Sequence, residues 1–205
     1  MDFSIYISAF VALFVIIDPI GLAPLFAALT QGDTARMRHV IAIRACLIAF
    51  GLLTVFGLAG ESVLHFLGIS MPAFRMAGGV LLFLTALDML FERRKERRQG
   101  QADEPHTDDP SVFPLATPLI AGPGALATMI LLTGQDGADA LHIIAIHAVM
   151  AAVLLCVFVL FLLAAPLERL LGPTGINVVT RLLGMLLAAL AIQFVIDGFH
   201  DLQVF

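Results

Sequence analysis

Long, uninterrupted runs of apolar residues dominate the pattern of this chain. Three of them are Leu47–Leu58, Val80–Leu87 and Ala148–Ala165. They show neither the alternation of a half-buried strand nor the polar stripe of a surface helix. Because lipid cannot hydrogen-bond an exposed backbone amide, such runs must be membrane-spanning helices. We expect six spans, at about residues 3–30, 43–60, 70–91, 112–133, 141–165 and 178–199.

The composition supports an all-α, polytopic membrane protein. Hydrophobic residues make up 60% of the 205 residues and charged residues only 13%, whereas a soluble domain is near half apolar and about a quarter charged. The extended polar stretch at 92–111 is interpreted as a solvated cytoplasmic linker. It divides one transmembrane domain, residues 1–205, into a first repeat at 1–91 and a second repeat at 112–205. The N-terminal segment lacks a basic region and a cleavage site, so it is expected to be a span rather than a removable signal.

The basic residues indicate an orientation in the membrane. Ten of the eleven lie on one side if the N-terminus is outside, and Arg75 is the exception. The opposite loops carry acidic residues such as Glu61 and Asp139. Lys and Arg concentrate in the cytoplasmic loops of membrane proteins. Both termini are therefore predicted to lie outside.

Two motifs recur in corresponding positions of the two halves. Asp18–Pro24 (DPIGLAP) resembles Thr117–Pro123 (TPLIAGP), since each has a capping residue, a proline and a second proline after a small residue. Arg75–Gly78 likewise resembles Arg181–Gly184, each followed by a long apolar run. Because each half has an odd number of spans, a duplication must be inverted in the membrane. The prediction is two inverted three-helix repeats, an architecture of many secondary transporters.

The DPIGLAP and TPLIAGP segments predict broken helices in spans 1 and 4. Asp and Thr are good helix N-caps, and a second proline removes a further ladder hydrogen bond. Unwound backbone at membrane depth is tolerated only inside protein or beside a wet cavity, and helix N-termini suit carboxylates. Packing kinks are the alternative, and the first half of span 4 is either very short or re-entrant. The candidate substrate-binding residues are Asp18, Pro19, Gly21, Pro24, Thr117, Pro118, Gly122, Pro123 and Gly124.

Asp18 is the strongest single candidate. It lies near the centre of its span, where an ionised carboxylate costs about 2.5–3.5 kcal/mol even on the lenient insertion scale. One interpretation is a helix cap whose charge is offset by the helix dipole. The other is a ligand for a substrate ammonium, or for Na⁺ or H⁺ as the coupling ion. The two interpretations are compatible.

Other polar residues in or beside the spans give weaker signals. Arg75 and Arg181 either snorkel to the headgroups or guard opposite mouths of a pathway. Asn177 is a candidate cap for span 6, and Gln193 is expected to make an interhelical hydrogen bond. All four are candidate pathway-lining residues. We find no cofactor motif, metal-ligand set or nucleophile–base pair, so neither an enzyme nor a metalloprotein is expected.

The same segments resemble the MarC family of inner-membrane proteins. The likeness is carried by the Asp18–Pro24 segment, by PLATPLIAGPG at Pro114–Gly124 and by NVVTRLLG at Asn177–Gly184. Met76–Leu82 and Ala191–Phe194 extend it over nearly the whole chain apart from the linker. The resemblance implies six spans and a place in the LysE-type exporter superfamily, some of whose members move small neutral amino acids.

These observations favour a secondary transporter or exporter of small neutral amino acids such as alanine or glycine. It would work by alternating access around the two broken helices. The alternatives are a membrane channel, a membrane protein without transport and, less favoured, an intramembrane enzyme. The expected partners are the substrate and the lipid bilayer, without nucleic acid, and a homo-oligomer is compatible with the sequence.

Overall fold

The regular secondary structure of the protein, described by a computed structural model, is helical. The structure describes residues 3–94, 98, 100, 109–134 and 139–202, and no strand occurs among them. Five helical segments in this part of the chain are long and apolar enough to cross a membrane, and one bent pair of helices supplies a sixth. The predicted polytopic all-α class is confirmed.

The six expected spans correspond to eight helical elements. Span 1 divides into α1 and α2, and span 4 into α5 and α6, which meet at a bend of 57°. The helix α3 begins eight residues before the predicted span. The helix α8 turns at Gly172, which has a positive φ of 61° and is followed by Pro173. The elements are α1 (Phe3–Ile17), α2 (Pro19–Leu29), α3 (Ala35–Phe66), α4 (Met71–Leu90), α5 (Ser111–Ile120), α6 (Pro123–Thr133), α7 (Ala140–Leu162) and α8 (Ala164–Asp201).

Polar residues in the short loops start the long helices. Thr34, Ser70 and Asp139 cap α3, α4 and α7, each accepting a hydrogen bond from the backbone amide three residues on. Such caps satisfy amides that have no partner within the helix. The loop chemistry therefore fixes where these three spans begin.

A polar cluster outside the spans ties the start of α5 to α3. Asp109 accepts hydrogen bonds from the hydroxyl and backbone amide of Ser111, and its other carboxylate oxygen lies 2.8 Å from Arg44 Nη1. The Ser111 hydrogen bonds and then the Arg44 guanidinium hold the pKa of Asp109 below its usual range. Asp109 is therefore ionised at neutral pH and anchors the chain as it enters α5.

The third helices of the two halves, α4 and α8, pack against each other along their lengths. A Cβ on Gly79 would lie 2.7 Å from the Ala191 carbonyl, and one on Gly184 would lie 2.9 Å from Met89 Cβ. At one end of the pair Arg75 bonds Asp201, and at the other Arg181 bonds Glu92. These contacts make α4 and α8 antiparallel, as the corresponding helices of an inverted repeat must be.

Thiol labelling tests the predicted orientation. Gly100→Cys, in the linker, and Ser62→Cys, near the acidic end of α3, both lie at exposed positions. In cells whose protein lacks Cys46 and Cys156, Ser62→Cys should react with an impermeant maleimide, and Gly100→Cys should react only after permeabilisation. The expectation follows from the concentration of Lys and Arg on the linker side. The reverse labelling pattern would place both termini in the cytoplasm.

Candidate functional site

The first span is broken at Asp18, between α1 and α2. Asp18 adopts left-handed backbone angles (φ 57°, ψ 65°) and is only 1% exposed. Its Oδ1 accepts a hydrogen bond of 3.1 Å from the Gly21 amide, so Asp18 is the N-cap of α2. A Cβ on Gly21 would collide with the Asp18 carboxylate. The motif therefore needs glycine here to make room for the carboxylate.

Capping by Asp18 changes the hydrogen bonding of the preceding turn. In an uninterrupted helix the Gly21 amide would donate to the Ile17 carbonyl, four residues earlier. Here that amide donates to the Asp18 side chain instead. The Ile17 carbonyl is therefore available to other donors. The break thus presents a carboxylate and a backbone carbonyl at the same place. Pro24 lies within α2, which continues to Leu29, so the predicted break of this segment occurs at Asp18 and not at its second proline.

Two linker arginines fill the first break. Arg98 Nη1 lies 3.1 Å from Asp18 Oδ2, and Arg98 Nη2 donates a hydrogen bond of 3.0 Å to the Ile17 carbonyl. Arg94 donates to the Ile16 carbonyl and approaches Met89 Sδ at 2.9 Å. Each arginine is only 7% exposed.

The interpretation of residues 92–111 as a wholly solvated loop is therefore wrong at Arg94 and Arg98. The two arginines are four positions apart, the spacing that places two side chains on one face of a helix. That spacing, within the run ERRKERR, was the sequence signal that could have identified them. The physical reason for their burial lies outside the linker. The break in span 1 offers a carboxylate and carbonyls that need donors.

The second break, between α5 and α6, differs from its predicted counterpart. Thr117 is exposed and has extended backbone angles (φ −131°, ψ 125°), which interrupt the helical path inside α5. The longer helix of this span, α6, begins at Pro123, with Gly122 in the cap position and no side-chain cap. Thr117 therefore marks a break, as predicted, but the helix start that corresponds to Asp18-Pro19 is Gly122-Pro123. A side chain at Gly122 would meet the Pro118 carbonyl at 2.6 Å, which explains the glycine.

The two breaks lie next to each other. A Cβ on Gly124, in the first turn of α6, would lie 2.6 Å from Ile16 Cδ1 at the end of α1. Ile16 is also the residue whose carbonyl accepts Arg94. Residues that flank the DPIGLAP and TPLIAGP segments, Ile16 and Gly124, therefore lie against each other.

A first cavity of about 430 Å³ lies against the first break. It is lined by Asp18, Gly21 and Pro24 from the first span and by Asn177 and Thr180 from α8. The Thr180 hydroxyl is buried and has no hydrogen-bond partner among the described residues. A buried hydroxyl without a partner costs free energy that a bound ligand or water can recover. Asn177 lines this cavity but lies inside α8, so the expectation that it caps a helix is wrong. Thr180, which was not among the candidate residues, also lines the cavity wall.

A second cavity of about 390 Å³ lies against the second break. Three residues line both cavities, namely Asp88 and the two linker arginines, so the arginines lie where the cavities meet. The predicted site residues that line the second cavity are Pro118, Gly122, Pro123 and Gly124.

Acidic side chains outnumber basic ones around the first cavity. Among the described lining residues there are four carboxylates and two guanidiniums. The residues are Asp18, Asp88, Glu92 and Glu168, against Arg94 and Arg98. Asp18 pairs with Arg98, Glu92 pairs with Arg181 outside the cavity, and Glu168 is exposed to solvent.

The remaining predicted pathway residues lie elsewhere. Arg75 and Arg181 pair with Asp201 and Glu92 at opposite ends of the α4–α8 pair, and neither lines the two cavities. Gln193 is exposed and donates a hydrogen bond of 2.7 Å to Asp197, one turn later in the same helix. The expected interhelical hydrogen bond of Gln193 is therefore wrong. The described residues contain no group of three His, Cys, Asp or Glu side chains that could hold a metal ion.

Comparison with known proteins supports the resemblance. Residues 3–203 match the family described as MarC family integral membrane protein. A UPF0056 membrane protein of Archaeoglobus fulgidus is 38% identical over 200 residues, covering 97% of this chain and 93% of that protein. YhcE of Escherichia coli, a UPF0056 membrane protein, is 35% identical over 96% of this chain and 93% of its own length. The UPF0056 inner membrane protein YhgN of Escherichia coli is 36% identical, with 94% of each chain covered.

No solved structure matches the chain. The family match and the full-length relatives agree with the paired proline motifs, the bent helix pair and the apolar spans. This chain is a multi-pass member of the MarC family of integral membrane proteins.

Proposed function

We propose that this protein is a secondary transporter of small neutral amino acids, working by alternating access at the two helix breaks. The main support for this proposal is the arrangement of the two breaks. They lie side by side within the membrane domain, each against a cavity, and Asp18 is buried at the first break. Broken spans that meet in this way are the binding elements of many inverted-repeat transporters. The relative YhgN is named an inner membrane protein, which supports the inner membrane as the location of this chain.

The chemistry of the site suits a zwitterion. Asp18 and the Ile17 carbonyl are acceptors for an ammonium group. The uncapped start of α6 at Gly122–Pro123 offers backbone amides and the positive end of a helix dipole to a carboxylate. The two cavities, of about 430 and 390 Å³, are large enough to hold a small amino acid. The candidate coupling ions are Na⁺ and H⁺.

Flux in proteoliposomes tests the proposal. Radiolabelled alanine and glycine should enter protein-containing vesicles faster than empty ones, and imposing Na⁺ and pH gradients separately should identify the coupling ion. Unlabelled alanine should compete at least about tenfold better than alaninamide or N-acetylalanine, since each analogue leaves a buried polar group unpaired.

Two results would contradict the proposal. One is the absence of flux for every amino acid in a panel under both gradients. The other is equal competition by alanine, alaninamide and N-acetylalanine, which would show that the site does not read both ends of a zwitterion. Vesicles carrying the protein with Asp18 replaced serve as the matched negative control, and their expected behaviour is argued in the Discussion.

A further inference from the structure

A third cavity, of about 330 Å³, lies at the end of the bundle where three spans end or begin. The helix α2 ends there at Leu29, α3 begins at Ala35 and α7 ends at Leu162. The ends of membrane spans lie at the level of the lipid headgroups. The ion pair between Arg44 and Asp109 connects this end of α3 to the last residues of the linker. The cavity therefore lies at headgroup level, on the side of the membrane where Lys and Arg concentrate.

One arginine is fixed at the wall of this cavity and keeps donors for a ligand. Arg38 Nε donates a hydrogen bond of 3.2 Å to the Thr30 carbonyl, an acceptor at the C-terminal end of α2. Within the part of the chain that the structure describes, the Arg38 side chain makes no second hydrogen bond and no ion pair. A guanidinium carries five N–H donors and can bind phosphate through two of them at once. The two Nη groups therefore remain for a ligand, while Nε holds the side chain in place.

The charges around Arg38 favour an anion. Among the described residues of the cavity wall, the acidic one is Asp33. Asp33 is exposed, so water and salt screen its charge, whereas Arg38 is half-buried and is screened less. The first turn of α3, which lines the cavity at Ala35, adds the positive end of a helix dipole. The cavity wall at Arg38 thus attracts a negatively charged group.

Much of the remaining wall is apolar and firmly packed. Phe26 and Phe161 stack with their ring centroids 4.4 Å apart and their planes 4° apart, which fastens α2 to α7. Leu162, Ala164 and Ala165 line the cavity beside them. Ligand pockets run from about 300 to 1,000 Å³, so a cavity of about 330 Å³ can hold a lipid headgroup but not a whole lipid. The acyl chains of such a lipid would remain in the bilayer.

We propose that this cavity binds the headgroup of an anionic glycerophospholipid such as phosphatidylglycerol, with the lipid phosphate on the Nη groups of Arg38. Among the described residues, the cavity shares none with the cavities at the two helix breaks, so the inference is independent of the proposed transport function. A lipid matches this cavity better than a free phosphate does, because apolar side chains lie beside a cation at headgroup level. Anionic lipids give the cytoplasmic leaflet its negative potential, and basic pockets between spans on that side bind their headgroups.

Thermal unfolding in a neutral detergent tests the lipid preference. Phosphatidylglycerol, added at a fixed mole fraction of the detergent, should raise the Tm of the purified protein by about 3 °C or more, as expected for a ligand well above its Kd. Phosphatidylcholine with the same acyl chains carries a phosphate but no net charge, and it should give no comparable rise. Inorganic phosphate, which lacks the glycerol and the acyl chains, should also give none. An equal rise with phosphatidylcholine or with inorganic phosphate would overturn the assignment to an anionic lipid.

Matched variants test the position of the lipid. Arg38→Gln should lose the rise, whereas Arg36→Gln, which removes an exposed arginine outside the cavity wall, should keep it. Because Arg38→Gln also loses the hydrogen bond to Thr30, a second variant keeps the arginine. Ala165→Trp adds a large side chain at an exposed position of the cavity wall and should lose the rise as well. A full rise in Arg38→Gln or Ala165→Trp, or its loss in Arg36→Gln, would contradict the proposal.

Lipid retention, measured by native mass spectrometry, gives a readout that does not depend on thermal stability. The wild-type protein should retain phosphatidylglycerol through purification. Arg38→Gln should retain about a tenth as much as Arg36→Gln, because the loss of one charge-assisted hydrogen bond lowers affinity about tenfold. Equal retention by the two variants would overturn the assignment of Arg38 as the phosphate ligand, whether or not amino-acid flux is found.

Discussion

Asp18→Asn is expected to reduce amino-acid flux by about a hundredfold at equal amounts of protein in the membrane. Asn caps helices about as well as Asp, so the start of α2 should be retained. The carboxylate charge that we assign to the substrate ammonium is lost, however. Removing one charge-assisted hydrogen bond in a buried site costs about 3 kcal/mol, which corresponds to about a hundredfold. The measurement is alanine uptake in proteoliposomes, normalised to the amount of reconstituted protein.

The ion pair with Arg98 makes a second variant necessary. Asp18→Asn leaves a buried guanidinium without its carboxylate, which is expected to cost about 3–5 kcal/mol of stability. Asp18→Asn/Arg98→Gln removes both charges and should recover much of the lost Tm while flux stays at background. Flux near the wild-type level in either variant would show that Asp18 serves only as a cap. Recovery of flux together with Tm in the double variant would show that the loss came from misfolding.

Gly79→Ala is expected to be the most disruptive single-methyl addition in the α4–α8 pair. Its Cβ would lie 2.7 Å from the Ala191 carbonyl oxygen and 3.1 Å from the Val195 amide nitrogen. Both are backbone atoms, so no side chain can rotate away and the two helices must separate. Overpacking of this kind costs about 1–3 kcal/mol and occasionally more. Close backbone approach through small residues is also a main source of helix association in lipid.

Thermal unfolding in detergent, with Gly51→Ala as the matched control, tests this expectation. Gly51 also lies within a long span, but a Cβ there would meet nothing within 4 Å. The control should therefore unfold at or slightly above the wild-type temperature, because alanine restricts the unfolded chain more than glycine does. Gly79→Ala should unfold about 2–12 °C lower. Equal unfolding temperatures for the two variants would show that α4 and α8 do not pack as closely as described.

The sequence by itself determined the class of protein, the number of spans and the position of the first break. These features depend on local properties, namely the length of apolar runs and the backbone chemistry of Asp18-Pro19. A proline and a capping residue act within one helical turn, so their effect can be read without knowing the rest of the fold. At Thr117-Pro118 the same local reasoning located a break but not the start of α6. There the second proline, Pro123, begins the helix, and the two candidate starts could not be ranked from residue types alone.

The tertiary structure alone decided the composition of the site. Arg98 reaches Asp18 across 80 positions of sequence, and Gly124 reaches Ile16 across more than a hundred. A run of arginines in a polar segment has the composition of a solvated loop, even though two of these arginines, Arg94 and Arg98, are buried. Their burial follows from the carboxylate and carbonyls that the first break presents, and a buried acceptor selects its donor by position in space rather than by distance along the chain. The periodicity of the spans carries no information about that pairing. Only the folded protein shows that Arg94 and Arg98 belong to the candidate site.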